Sequence, residues 1–217
     1  GGMNAGISIV RDAETGKISI EKRFGRAEIE ARIADNEIKA LLHLKGHTHI
    51  PKMVDYFFDP FRMQGAIYLE YCKFGGMDQL IERHAMQRRT ICEHHIWKWF
   101  IQLADALTLC HYGPNPQDLQ ARANWNWVIH RDIKPANCFL ARGKKGTPSA
   151  GQVIAKLGDW GCGVTKQAMT SRFKDPTNMS TGTEAFMAPE QPRYYARSDV
   201  WQLGAVMFCL CTLTQCP

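Results

Sequence analysis

No apolar run in the 217-residue sequence reaches the roughly 20 residues that a membrane-spanning helix needs, so a soluble chain is expected. The eight cysteines are scattered, without the paired CxxC elements of a zinc ribbon. Gly1 opens no secretory leader, which makes reduced thiols in the cytoplasm or nucleus the simplest expectation. The histidines at 43, 47, 49, 94, 95 and 111 lack the companion cysteines or carboxylates that would make a metal cluster. Internal repeats are absent too. The formal charge of +6 comes from 27 basic and 21 acidic residues dispersed along the chain, an ordinary solvated surface with neither nucleic acid nor membrane as an expected partner. At 45% apolar content, the chain can bury a core.

Against this background one stretch stands out, VIHRDIKPANCFL at 128–140. Moving a γ-phosphoryl group requires positioning and charge neutralisation far more than covalent chemistry. Asp132 is placed to take or orient the proton of an attacking hydroxyl, Lys134 to reach the transferring phosphate, and Asn137 to offer an amide oxygen to a metal ion. Pro135 removes a backbone donor and disfavours helix at Lys134, so a loop is expected there, followed by a strand through Cys138, Phe139 and Leu140.

Two charged residues sit where apolar ones belong. In KISIEKRF, strand alternation puts Ile18, Ile20, Lys22 and Phe24 on one face, with polar Lys17, Ser19, Glu21 and Arg23 on the other. A turn at 13–16 joins this strand to an earlier one at about Ile7 to Arg11. Further on, Ile33, Glu37 and Leu41 share a helical face, which Glu37 interrupts. A cation and a carboxylate on apolar faces each demand a partner, and each can serve as the other's. A third acidic residue, Asp159 in KLGDWGCG at 156–163, follows a short apolar strand from Val153 to Leu157 and enters a glycine-flanked turn.

Together HRDIKPAN, LGDWG and GTEAFMAPE at 182–190 resemble a eukaryotic serine/threonine protein kinase, most similar to the NIMA-related kinases, with an inserted loop like that of fungal members. The resemblance implies ATP and Mg²⁺ as cofactors, a protein substrate, Lys22 anchored by Glu37 on the nucleotide phosphates, and Asn137 with Asp159 on the metal. Trp160 stands where the family has phenylalanine. The glycine-rich loop is met at Gly1 and Gly6 but carries Met3 in place of its middle glycine, and Ser8 stands where a valine usually covers the adenine. The family further implies Leu69 at the rear pocket, Glu70 and Cys72 at the adenine, Asp78 at the ribose, Thr183 against the catalytic loop and Asp199 bracing it. Lys134 and Thr183 also point to serine or threonine acceptors. Arg131 would grip a phosphate placed on Thr177, Ser180 or Thr181 by an activating kinase or by autophosphorylation.

The implied fold is α+β and bilobal, with an antiparallel sheet and one helix over residues 1–72 and a mainly helical, incomplete lobe over 73–217. A helix-compatible pattern runs from Cys92 to Tyr112, with Ile96, Phe100, Leu103 and Leu107 as core. Residues 113–126, with two prolines, read as an insertion packed down by Trp125 and Trp127, and the basic stretch 141–152 as solvated loop. The end in VMFCLCTLTQCP leads to the expectation of a truncated chain with exposed apolar surface and with Glu190 lacking its family arginine. Two other functions compete. A catalytically ineffective ATP-binding scaffold would suit the imperfect glycine loop, whereas GTEAFMAPE, which docks a polypeptide, argues against a kinase of small molecules.

Overall fold

Asp12 closes the first turn, its Oδ1 accepting from the Thr15 backbone N–H and hydroxyl at 2.6 Å each. The strands that this turn joins are β1 (Ile7–Arg11) and β2 (Ile18–Phe24), paired antiparallel with Ile7 opposite Lys22. A computed structural model of the protein describes residues 6–167 and 181–217. Beyond β2 come the short helix α1 (Arg26–Glu30) and α2 (Ile33–His43). Glu28 stabilises the start of α1 by accepting from the Gly25 N–H at 2.6 Å. Strands β3 (Met53–Asp59) and β4 (Gln64–Glu70) complete a four-stranded antiparallel sheet in the order β1-β2-β4-β3.

Helices dominate the rest. Among the described residues they include α3 (Met77–Met86), α4 (Glu93–Tyr112), α5 (Leu119–Asn124) and α6 (Ala196–Thr212). Between α5 and α6 lie two small antiparallel pairs, β5 (Val128–Ile129) with β8 (Val164–Thr165) and β6 (Cys138–Arg142) with β7 (Val153–Leu157). A sheet segregated from a mainly helical part makes the architecture α+β. One continuous core runs from Phe24, Ile38 and Ile67 through Leu103 and Leu107 to Leu203 and Leu210. Burying each such side chain stabilises the fold by about 1.5–3 kcal/mol, which clamps α4 against α6. No helix among the described residues is long and apolar enough to cross a membrane.

Three details go beyond the sequence reading. The insertion at 113–126 contains a helix, α5, because Asp118 caps it by accepting from the Gln120 and Ala121 N–H groups at 2.9 and 3.0 Å. Trp125 packs it down as expected, stacked on His43 with ring centroids 4.3 Å apart and donating from Nε1 to the Cys110 carbonyl at 3.0 Å. The polar face of β2 is not solvated throughout, since Glu21 is buried and accepts from Tyr68 Oη at 3.0 Å and Arg23 Nε at 2.9 Å. Glu190 has partners within the chain, the Ser198 hydroxyl at 2.7 Å and Arg197 Nε at 3.7 Å. The exposed apolar surface expected near the end lies on α6, where Val200, Trp201 and Phe208 are each about half exposed.

Candidate active site

After β5 the chain runs as an irregular loop through His130 to Lys134, then makes one 3₁₀ turn over Pro135–Asn137, with Pro135 at its start where a missing N–H costs nothing. That turn folds Asn137 back so that its Nδ2 donates to the Asp132 carbonyl at 2.8 Å and to Asp132 Oδ2 at 3.0 Å. Lys134 Nζ lies 3.0 Å from the same carboxylate. The Thr183 hydroxyl donates to Asp132 Oδ1 at 2.8 Å and accepts from Lys134 Nζ at 2.7 Å. Thr183 reaches this position because Gly182 precedes it with φ of 91°, where a Cβ would stand 2.4 Å from the Arg131 carbonyl. The three residues read from the motif, and Thr183 with them, therefore form one hydrogen-bonded group.

The loop backbone is held from below by α6. Asp199, fully buried, accepts from the N–H groups of His130 and Arg131 at 2.9 Å each and from His111 Nε2 at 2.8 Å. Gln202, one turn on and also fully buried, accepts from the Ile133 N–H at 3.0 Å and donates to the Arg131 carbonyl at 3.1 Å. Four backbone groups of an irregular buried loop are thus met by two side chains on one helical face. Gln202 was missed by sequence reasoning, although a glutamine between Trp201 and Leu203 in an apolar helix was a readable signal. Arg131 adopts a left-handed φ of 70° and donates from Nε to the Cys162 carbonyl at 2.6 Å. The Thr181 hydroxyl contacts Cys162 Sγ at 3.5 Å, and Tyr194 Oη donates to the Thr181 carbonyl. Thr177 and Ser180 lie outside the described residues.

Across the cleft, β2 and α2 bring the two misplaced charges together. Lys22 Nζ is 2.8 and 3.0 Å from the Glu37 oxygens and 2.7 Å from Asp159 Oδ1. Burial pushes the Glu37 carboxyl up, to about 7, against the pull of Lys22 and the Trp160 backbone N–H. Burial opposes the charge on Lys22, but the two carboxylates outweigh it and hold the ammonium well above its ordinary range. Asp159 resolves the other way, since the ammonium beside it overcomes burial and keeps it below the usual carboxylate range. Asp159 sits at a left-handed φ of 62°, and Trp160 beyond it is wholly buried against His130, ring centroids 4.6 Å apart.

A folded-state pKa below the unfolded one stabilises the protein above the unfolded value of about 3.9 and ceases to do so as pH falls through the lowered value. Thermal unfolding of the wild type and of Asp159→Asn is therefore expected to differ most near neutrality, with the gap closing as pH falls through the lowered Asp159 value. A gap that stayed constant with pH would show that the ion pair with Lys22 contributes nothing.

The cleft between these groups has a volume of about 560 Å³ and is walled by Ile20, Lys22 and Leu69 on the sheet side and by Ala136, Asn137 and Asp159 opposite. Glu70 and Cys72 also line it. The Glu70 N–H is already given to the Lys52 carbonyl at 2.8 Å. Asp78 does not line the cleft, and Gln79, one position on, does. Nor does Ser8, because β1 turns Ile7 and Ile9 inward. Gly6 lies just outside the lining and accepts from the Arg23 N–H at 3.0 Å, while Gly1 falls outside the described residues. Asn137 commits its Nδ2 to Asp132, leaving its amide oxygen as the remaining donor atom, and both Asn137 and Asp159 line the cleft. Two hard oxygen donors, with no group of three or more metal-ligating side chains among the described residues, suit an ion that takes its remaining ligands from phosphates and water. The histidines have other partners: His47 meets Asp105 at 3.2 Å and His49 Nδ1 the Ala155 carbonyl at 2.9 Å.

A model of the protein kinase domain matches residues 1–216. The chain belongs to the protein kinase family. This kinase is 35% identical over 200 residues to the G2-specific protein kinase fin1 of Schizosaccharomyces pombe, a match covering 84% of the chain and 24% of that protein. It is 30% identical over 210 residues to the human serine/threonine-protein kinase Nek2, covering 94% of the chain and 42% of the relative. Against the G2-specific protein kinase nimA of Emericella nidulans it is 32% identical over 162 residues, 67% of the chain and 21% of nimA. The resemblance to NIMA-related kinases drawn from the motifs is borne out, and the kinase spans less than half the length of each of these relatives.

Proposed function

We propose that the chain transfers the γ-phosphoryl group of ATP to serine or threonine hydroxyls of protein substrates. The observation that carries this reading is the convergence on one cleft of the Lys22–Glu37–Asp159 ion triad with the hydrogen-bonded Asp132–Asn137 pair. Lys22, held by Glu37, orients the nucleotide phosphates. Asp132 receives the proton as the acceptor oxygen forms its bond to phosphorus and the bond to the β-phosphate oxygen breaks, and Lys134 offsets charge on the group in flight. Mg²⁺ held by Asn137 and Asp159 would supply charge neutralisation on the phosphates. The hydroxyl of Thr183, tied to both Asp132 and Lys134, keeps the base aimed at the acceptor. Relatives named as serine/threonine kinases support the choice of acceptor. Phosphorylation at Thr177, Ser180 or Thr181, by an upstream kinase or by the protein itself, belongs to the same reading.

Transfer of labelled γ-phosphate to a generic protein substrate tests it, with Lys22→Ala as the comparison. Activity is expected in the wild type and to fall at least 100-fold in the variant, from lost phosphate positioning. Equal incorporation by both proteins would favour an ATP-binding scaffold without effective catalysis.

A further inference from the structure

A second cavity, of about 300 Å³, adjoins the nucleotide cleft, sharing Leu41, Pro51 and Glu70 with its lining. Its walls come from stretches far apart in sequence: the end of α2, the loop leading to β3, the last residue of β4, strand β7 and the turn before it. Leu44, Ile50 and Ile154 give it an apolar lining, each nearly fully buried. Around this lining stand four lysines and a single carboxylate, that of Glu70. Lys156, 3% exposed at its side chain, donates to the Thr48 and Ile50 carbonyls at 2.6 and 3.3 Å and pairs with Glu70 at 3.2 Å. The remaining three, Lys45, Lys52 and Lys144, are exposed at the rim and have no ion-pair partner among the described residues.

Three lysines without an ion-pair partner, lining the same apolar hollow, are matched to one ligand chemistry. From this geometry we infer that the cavity binds an acidic group, phosphate or carboxylate, carried on an apolar stem about the size of one aromatic ring. The rim lysines hold the acid while the stem fills the space between Leu44, Ile50 and Ile154. The volume is at the lower end of the range for small-ligand sites, which restricts the occupant to a single ring. Surface cations alone would bind anions weakly and without regard to the stem, so the apolar lining is what makes the site selective. Because Glu70 also lines the nucleotide cleft, the occupant sits one side chain away from it.

Phenyl phosphate is the probe, titrated calorimetrically into the protein with ADP present so that the nucleotide cleft is occupied. Saturable binding is expected, at least tenfold weaker for inorganic phosphate and at least tenfold weaker for the double variant Lys52→Glu with Lys144→Glu. Both substituted side chains are exposed, so the melting temperature should be unchanged; if it falls, Lys52→Gln with Lys144→Gln repeats the measurement without charge reversal. A pentapeptide of phosphotyrosine flanked by alanines distinguishes the sources of the ligand: tighter binding than phenyl phosphate assigns it to a polypeptide, equal binding to a free small molecule. Absence of saturable binding to the wild type, or equal binding to wild type and double variant, would overturn the inference.

Discussion

Asp132→Asn is expected to lower the turnover number for protein phosphorylation by about three orders of magnitude, within the range of 10²–10⁴ that a positioned acid–base group supplies. The variant separates chemistry from structure unusually well. Asparagine occupies the same space, and its oxygen can still accept from the Thr183 hydroxyl or from Asn137 Nδ2, the two neutral partners in the wild type. What it cannot do is carry the negative charge that faces Lys134 or take up a proton. The melting temperature should therefore move little while the rate collapses. Rates within tenfold of the wild type would remove Asp132 from the role of base and leave positioning by Lys22 and Lys134 to account for transfer.

The second large effect falls on stability. Asp199→Ala deletes the acceptor for two backbone N–H groups and for His111 at a position with no solvent access. Breaking a buried charged group away from its partners typically costs about 3–5 kcal/mol, because the donors left behind can recover neither water nor a new acceptor. For a chain of this length each kcal/mol lowers the melting temperature by roughly 2–4 °C, so a fall on the order of 6–20 °C is expected by thermal denaturation. Asp199→Asn keeps one oxygen and should recover part of the loss. If the alanine variant melted within about 2 °C of the wild type, the catalytic loop would have to hold its shape through Gln202 and local bonds alone.

Where the sequence was informative, it was so through conflict between local pattern and residue chemistry. Lys22 on an apolar strand face and Glu37 on an apolar helical stripe each announced a buried charge, and a buried charge must be paired. The pairing at 2.8 Å follows from that necessity. The loop at 130–137 was legible because Pro135 forbids the helix that its neighbours would tolerate. Positions decided by parity or rotation were not legible in the same way. Ile7 and Ile9 face the cleft in place of Ser8 because a strand alternates and the shift of one residue changes its whole face. Gln79 in place of Asp78 is a similar one-residue difference at the start of α3, where a step turns the side chain by about 100°. Helix α5 was hidden by the prolines around it, although its capping aspartate was in plain view. The lysine-rimmed cavity could not be read at all, since Lys45, Lys52, Lys144 and Lys156 come together only once the sheet and β7 have packed.

The dependence of the catalytic loop on Asp199 also sets a clock. His130 and the aspartate that holds its backbone are separated by 69 positions in the chain. At a synthesis rate of about 5–20 residues per second, the loop waits roughly 3–14 seconds on the ribosome before its brace exists. During that interval Asp132 has been made but cannot be fixed in place by α6, so a nascent chain that already contains HRDIKPAN does not yet hold Asp132, Lys134 and Asn137 in their folded arrangement.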